Sequence, residues 1–503
     1  MTGNKIIHRL PPEAVESLPG LRTWQLTAVA LLLCVFLIGL CVISPWKPIL
    51  ILLAASGGVF FVIAALRHPQ LFLAAAIFIP QWKGYWPLRP IDQAADLTVL
   101  MLVGISIGLL WRTLRHLSRL DSWNIKELFR GIRLPIFFYL AFISLVAVSY
   151  LYTSAPNYGA AKLTRFLFIG GLLFFSGLML IREESDLRNF CLFFVICGAI
   201  TAIQLIFHLE QRNQVADVNS DITRIGAGWL MGMSILLLVA YPIFRKPAHR
   251  LTAWILVLPL LGSALVASAA RGAIVPLLIL IPLTFFIFAK QRLNATSAFL
   301  AAVLIASCVV AYFSLKRADP DKYSSKVSEL LQMSEGKATS GSGGKRLDYY
   351  QKTIAAIPNN LWFGKGVGSW GVFYYGIDKR NYPHNLFLEI AYEEGMLGLT
   401  LFLALILTVI SIAHRMLQAT RYRYGALAGL LFYCLFVSMF SGDLDDNRLL
   451  WFWIGVTLAV CRSVNLAPWA WSLSSRAYPR SLMPGRFSAI RQRQPHPSVA
   501  RYA

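Results

Sequence analysis

Uninterrupted apolar runs recur almost from one end of the chain to the other, each close to the ~20 residues that a helix needs to cross a bilayer. In hydrocarbon a backbone amide must find its hydrogen bond within its own segment, so these runs specify membrane-spanning helices. Charged residues make up 14% of the chain, against roughly a quarter in soluble domains. The expected fold is all-α, a polytopic transmembrane helix bundle of 12–14 spans with one large, partly helical extracytoplasmic loop. Segments 24–43, 48–66, 69–80, 92–111, 134–152, 163–181, 187–208, 226–244, 251–270, 273–289, 296–315, 386–413, 424–441 and 448–464 carry the signal. The third is short and flanked by proline, which suits a re-entrant segment as well as a crossing.

The polar remainder divides the chain into a cytoplasmic N-terminal segment (1–23), a transmembrane bundle (24–315), the loop region (316–383), C-terminal transmembrane helices (384–464) and a basic tail (465–503) read as disordered. Residues 1–23 lack a basic stretch joined to a short apolar core, so the first span is expected to act as an uncleaved anchor. Short basic connections, among them Arg245–Lys246, Lys290 with Arg292, and Arg415 with Arg421 and Arg423, fall on one side of the spans. The positive-inside rule puts that side, with both termini, in the cytoplasm. The net charge of +23 therefore reads as topology and attraction to anionic headgroups, and not as a nucleic-acid footprint. Residues 112–133 alternate Arg and Lys with Leu, Trp and Phe, the pattern of a helix lying on the membrane surface. All seven cysteines fall in apolar segments without a C-x-x-C pair, which suits small buried hydrophobes and no disulfide framework.

Chemistry concentrates where the 316–383 loop meets the membrane. Residues 321–333 are expected to form a short helix, and 334–344 a Gly/Ser/Lys link. Leu347, Tyr350, Ile354 and Ile357 then recur at helical spacing, which predicts a helix over 346–357 laying that face on the membrane domain. His384 follows Pro383 and precedes Asn385, a residue suited to cap the next helix. A neutral imidazole at that boundary can take a proton from a hydroxyl nucleophile. The arginines assigned to the same side are Arg224, Arg271, Arg346 and Arg448. Arginines at span ends commonly reach to lipid headgroups, but the connection after Arg271 is so tight that its guanidinium is expected to face the bundle interior. Several guanidiniums together would hold a doubly charged phosphate group.

Weaker signals surround this set. Gly366-x-Gly368-x-x-Gly371 matches a dinucleotide fingerprint by letter, but follows no predicted strand and lies outside the cytoplasm, so it is rejected as one. Asp443, Asp445 and Asp446 can be read as a cation site, as a solvated loop or as partners of Arg448; no metal ligands are assigned. Glu389 and Glu393 share a helix face and are expected to orient His384 or an arginine. Gly395 and Gly398 would let their helix pack closely on a neighbour.

Together, the His384-Asn385-x9-Gly395-x-x-Gly398 element, the Arg271–Gly272 hairpin and Arg346 at the head of a loop helix resemble the O-antigen ligase and polymerase superfamily of bacterial inner membranes. The resemblance covers about 220–450. Where those ligases often carry an Asn-Pro-Asn-like segment, this chain has Gly226-Ala227-Gly228-Trp229. The resemblance implies a metal-independent, inverting glycosyltransferase at the periplasmic face, with no cofactor. Its donor would be a polyprenyl-diphosphate-linked glycan and its acceptor a lipid A core, a glycan or a protein. His384 would be the base, Arg271 and Arg346 would stabilise the diphosphate, and Arg224, Asn385 and Arg448 would bind substrate. A polymerase of the same family, and a transporter or lipid flippase, are the alternatives.

Overall fold

The computed structural model describes residues 59, 61–83, 97–117, 129, 131–209, 218–268, 270–284, 286, 313 and 342–466, which form helices and turns with no strand among them. Contacts divide the chain at Pro69. The first unit contributes one described helix, Phe61–Arg67, followed by a bond from the His68 amide to the Ala64 carbonyl. The remaining elements belong to the second unit. The segment expected at 24–43, most of 48–66 and of 296–315, the loop helix at 321–333 and nearly all of the tail lie outside the described residues.

In chain order the helices are α1 (Pro69–Lys83), α2 (Leu97–Leu117), α3 (Arg133–Ser149, extended by a tight turn to Tyr152) and α4 (Pro156–Arg165). A widened π turn at Phe166–Gly170 joins α4 to α5 (Gly171–Leu180). Then follow α6 (Glu184–Leu209), α7 (Val218–Ala240), α8 (Pro247–Ala267) and α9 (Arg271–Leu283). After the loop come α10 (Ser342–Ala356), α11 (Trp370–Tyr375), α12 (Leu386–Glu393), α13 (Gly395–Ala419), α14 (Gly425–Ser438) and α15 (Arg448–Leu466). Among the described residues, five helical stretches are long and apolar enough to cross a membrane: Arg133–Tyr152, Pro156–Leu180, Glu184–Phe207, Pro247–Ala267 and Gly395–Ala419. Met101–Leu114, Arg224–Ala240, Gly272–Leu283 and Gly425–Ser438 are shorter apolar helices. The chain is a polytopic helical membrane protein.

α15 is the centre of the packing. Its Trp451 ring lies 5.3 Å from Phe166, 5.9 Å from Phe142 and 5.9 Å from Phe402, joining the π turn, α3 and α13. α5 approaches α15 closely because Gly177 and Gly455 lack side chains; a Cβ on Gly177 would stand 2.8 Å from the Phe452 carbonyl oxygen. Tyr433 of α14 donates to the Ala273 carbonyl at 3.1 Å, which fixes α9 against α14. At the other end of the bundle, Arg423 pairs with Glu184 and Arg112 with Asp186, the latter at 3.1 Å. The four described free cysteines, Cys191, Cys197, Cys434 and Cys461, are buried as expected.

Two expectations need correction. The single segment read at 386–413 is broken: α12 ends at Glu393, Gly395 takes a left-handed φ of +68°, and α13 starts afresh as the span. At the break Gly364 and Gly395 approach so closely that a Cβ on Gly395 would stand 2.6 Å from the Gly364 amide nitrogen, and the neighbouring Glu389, Glu393 and Glu394 are all buried. The second correction concerns α10. Leu347 and Ile354 are 57% and 56% exposed, while Thr353 and Ala356 are buried with Tyr349 packed behind them on Trp370 and Tyr392. A hydrogen bond from the Trp370 indole to the Thr353 hydroxyl (2.8 Å) and one from Tyr374 to Asp348 select that face. Apolar spacing marked the helix but not the side it buries.

Candidate functional site

At the mouth of the bundle the chain turns at Pro383 and enters α12 through two residues with opposite demands. Asn385 is extended, and its side-chain oxygen accepts from the amides of Phe387 (3.0 Å) and Leu388 (3.2 Å), the cap that the sequence predicts. His384 sits at φ +59°, a left-handed conformation that costs a side-chain-bearing residue of order 1–3 kcal/mol and is held only by its surroundings. Those surroundings are aromatic. Tyr382 meets the imidazole edge-on at 4.5 Å, and Tyr349 lies nearly parallel to it at 6.1 Å. The Tyr350 hydroxyl donates to the His384 carbonyl (3.3 Å) and reaches the Met439 carbonyl at the same distance.

The imidazole Nδ1 is buried without a hydrogen-bond partner among the described residues. Burial first, and then the positive charge of Arg346, push the His384 pKa down to about 4, against a smaller opposing pull from Asp443. His384 is therefore neutral at pH 7 and has a nitrogen free to accept a proton. Arg346, near the start of α10, lies close enough for its positive charge to act on His384.

Arg271 is the first residue of α9. Its hairpin packs on α7, where a Cβ on Gly228 would stand 3.0 Å from the Ser268 hydroxyl. On its other side, a Cβ on Gly272 would stand 3.5 Å from that of Phe440. The Arg271 main chain thus borders the Met439–Phe440 turn that Tyr350 links to His384. Arg448 opens α15 just past the same turn and interacts electrostatically with Asp446 and Asp445. His384, Asn385 and Arg346 gather at one site, with the α9 and α15 N-termini beside it. Two residues beyond Arg224, Gly226 abuts the Gln81 side chain of α1.

Sequence reasoning missed the charge network behind the site. Lys162 of α4 is fully buried and pairs with both Glu389 and Glu393, the second at 2.5 Å. These glutamates were expected to orient His384 or an arginine; their cation is Lys162, within a span. Glu389 also accepts from the Leu444 amide (3.2 Å), and Glu393 from the Gly368 amide (2.8 Å). Tyr158, one turn before Lys162, donates to Asp443, and Arg165 meets Asp445 at 3.1 Å. Arg380 pairs with Asp446 and approaches Asp443 at 3.6 Å. The sequence carried a partial signal, since Tyr158, Lys162 and Arg165 recur on one helix face, but nothing local to them points to carboxylates more than 200 residues away.

The side-chain oxygens of Asp443, Asp445 and Asp446 lie within 4.8 Å of one another, a donor set that suits a hard cation. Here they are engaged by Arg165, Arg380 and Tyr158. Burial alone would raise the Asp443 carboxyl, yet its hydrogen bond to Asp445 and the nearby Lys162 and Arg380 hold it below the usual carboxylate range. Burial and the Asp443 charge push Asp445 up instead. The glycine-rich segment read by letter as a fingerprint is a packing device: Gly366 and Gly368 lie against the backbones of Thr153 and Gly159, and the Val367 amide bonds the Ser149 hydroxyl (3.1 Å).

Residues 254–403 match the family model described as O-antigen ligase. The matched stretch holds Arg271, Arg346, His384 and Asn385, whereas Lys162, Arg448 and the acidic turn lie outside it. Among curated proteins, none matches the chain.

Proposed function

We propose that this chain, which carries a domain of the O-antigen ligase/polymerase superfamily, transfers a glycan from a polyprenyl-diphosphate carrier to an acceptor hydroxyl at the periplasmic face of the bacterial inner membrane, with both termini in the cytoplasm. The observation that carries this reading is a buried His384 whose Nδ1 has no partner among the described residues and whose proton affinity is lowered by burial and by the nearby Arg346. The acceptor oxygen attacks the anomeric carbon as its proton passes to the imidazole. The carbon–oxygen bond to the diphosphate breaks with inversion, and the electron pair stays on the departing phosphate oxygen. Arg346 and Arg271 stabilise that growing charge, and the adjoining helix N-termini supply partial positive charge of the same sense. Arg448 is a secondary anion contact, already shared with Asp446 and Asp445. The reaction needs no strong general acid, because a lipid diphosphate is a good leaving group. A polymerase shares every one of these steps and differs only in its acceptor.

The test supplies purified protein in lipid with a polyprenyl-diphosphate glycan and, separately, lipid A core, glycan or peptide acceptors. Gain of mass on lipid A core identifies a ligase, and lengthening of glycan a polymerase. His384→Ala is expected to abolish transfer while the protein remains folded in the membrane. Retained transfer in that variant would remove His384 as the base, and no transfer to any acceptor by the unsubstituted protein would remove the reading.

A further inference from the structure

α3 turns an outward stripe of Leu134, Phe137, Leu140, Ser144 and Val148 away from the bundle, at the three-to-four-residue spacing of a helix face. The stripe belongs to a stretch long and apolar enough to cross a membrane, and its face suits hydrocarbon. It ends at Leu151, which is 82% exposed. α13 runs back beside α3, with the Phe142 and Phe402 rings 5.8 Å apart, and its outward stripe of Leu407 and Leu403 ends toward the site at Leu397.

The segment Leu361–Phe363 bridges these two ends. Met396 and Leu397 donate their amides to the carbonyls of Leu361 (2.7 Å) and Trp362 (3.2 Å), and the Tyr152 hydroxyl donates to the Phe363 carbonyl (2.7 Å). The backbone is thus fixed to both spans while its side chains point out, Trp362 being 68% and Phe363 62% exposed. Among the described residues these rings have no aromatic or hydrogen-bonding side-chain partner, and they continue two outward apolar stripes at the level where those stripes stop. Amphipathic aromatic rings favour the headgroup layer.

We propose that Leu151, Tyr152, Trp362 and Phe363 form a wedge seated in the lipid headgroup layer on the His384 side of the membrane. The occupant is the lipid surface itself, by continuity with the apolar faces of α3 and α13. The wedge also sets a depth. Directly after Phe363, the Lys365 and Gly366 amides bond the carbonyls of Tyr392 and Glu393. α12, and with it His384, is therefore tied to whatever height the wedge adopts. This assignment is independent of the reaction proposed for His384.

The test uses the full-length protein in phosphatidylcholine–phosphatidylglycerol vesicles, with single cysteines introduced by Trp362→Cys, Phe363→Cys or Lys379→Cys in a background whose native cysteines are replaced, each carrying a nitroxide. Membrane-dissolved oxygen is expected to reach positions 362 and 363 several-fold more readily than a water-soluble nickel chelate, with the order reversed at exposed Lys379. A second measurement keeps the native cysteines: headgroup-proximal brominated lipid should quench less tryptophan fluorescence in Trp362→Phe than in the unsubstituted protein. Nickel access at 362 and 363 equal to that at 379, unchanged quenching, or protection that appears only at high protein-to-lipid ratio and so reports a second copy, would each overturn the wedge.

Discussion

For His384 the decisive quantity is its proton affinity. A base must be unprotonated, so activity is lost as pH falls through the pKa of the imidazole. With that pKa at about 4, the acid limb of kcat/KM, which reports the free enzyme, is expected near pH 4 and not near the ordinary histidine value of about 6.5. A bound diphosphate would offset the Arg346 charge and strengthen the base, so the acid limb of kcat should lie at higher pH than that of kcat/KM. Arg346→Gln removes one of the causes that lower the pKa and should move the kcat/KM limb upward while weakening donor binding. Initial rates across a pH series check all three, and coincident limbs in both proteins would show that Arg346 does not tune His384. Neither the depressed affinity nor the left-handed φ of His384 was legible in the sequence, since both arise from Tyr349, Tyr382 and Arg346 closing around it. That His384 and Asn385 form a polar turn at the head of a helix was legible, because Asn caps by a local bond that needs only its own neighbours.

Elements were read well where a local period set them and poorly where a distant partner did. Spacing predicted a helix over 346–357 and the observed one starts earlier, at Ser342, but the face it buries depends on Trp370 and Tyr374, which approach from another element. The end of α12 was hidden because its apolar residues continue smoothly into α13, and what breaks the helix is a pair of backbone approaches. Gly364 and Gly395, both at left-handed φ, lie so near each other that a Cβ on Gly364 would stand 2.6 Å from the Gly395 amide nitrogen. Gly395→Ala is therefore expected to destabilise the fold through both strain and crowding, and Asn385→Ala by about 1 kcal/mol through the lost cap. Thermal unfolding of the purified variants measures each. Asn385→Ser should recover most of the capping loss, and if it does not, the amide has a role besides capping.

Across the whole molecule, a polytopic helical bundle was plain from hydropathy, because a bilayer imposes span length on any chain that crosses it. The network joining α4 to α12 and the acidic turn was not, since its members are hundreds of residues apart and each alone resembles an ordinary charge at a span end. Lys162→Met strands two buried carboxylates and is expected to cost about 3–5 kcal/mol. Adding Glu389→Gln and Glu393→Gln should return much of that loss, which unfolding of the single and triple variants can measure. No recovery would mean that Lys162 acts by filling space and not by its charge. A feature of the same span gives this network its geometry. The wide turn at Phe166–Gly170 inserts an offset in screw phase between α4, which faces carboxylates, and α5, whose Gly177 must nest against α15. Shortening that turn by one residue would rotate α4 by about 100° relative to α5. The tryptophan-centred interior would keep its lower contacts, while the lysine swung away from both of its acids.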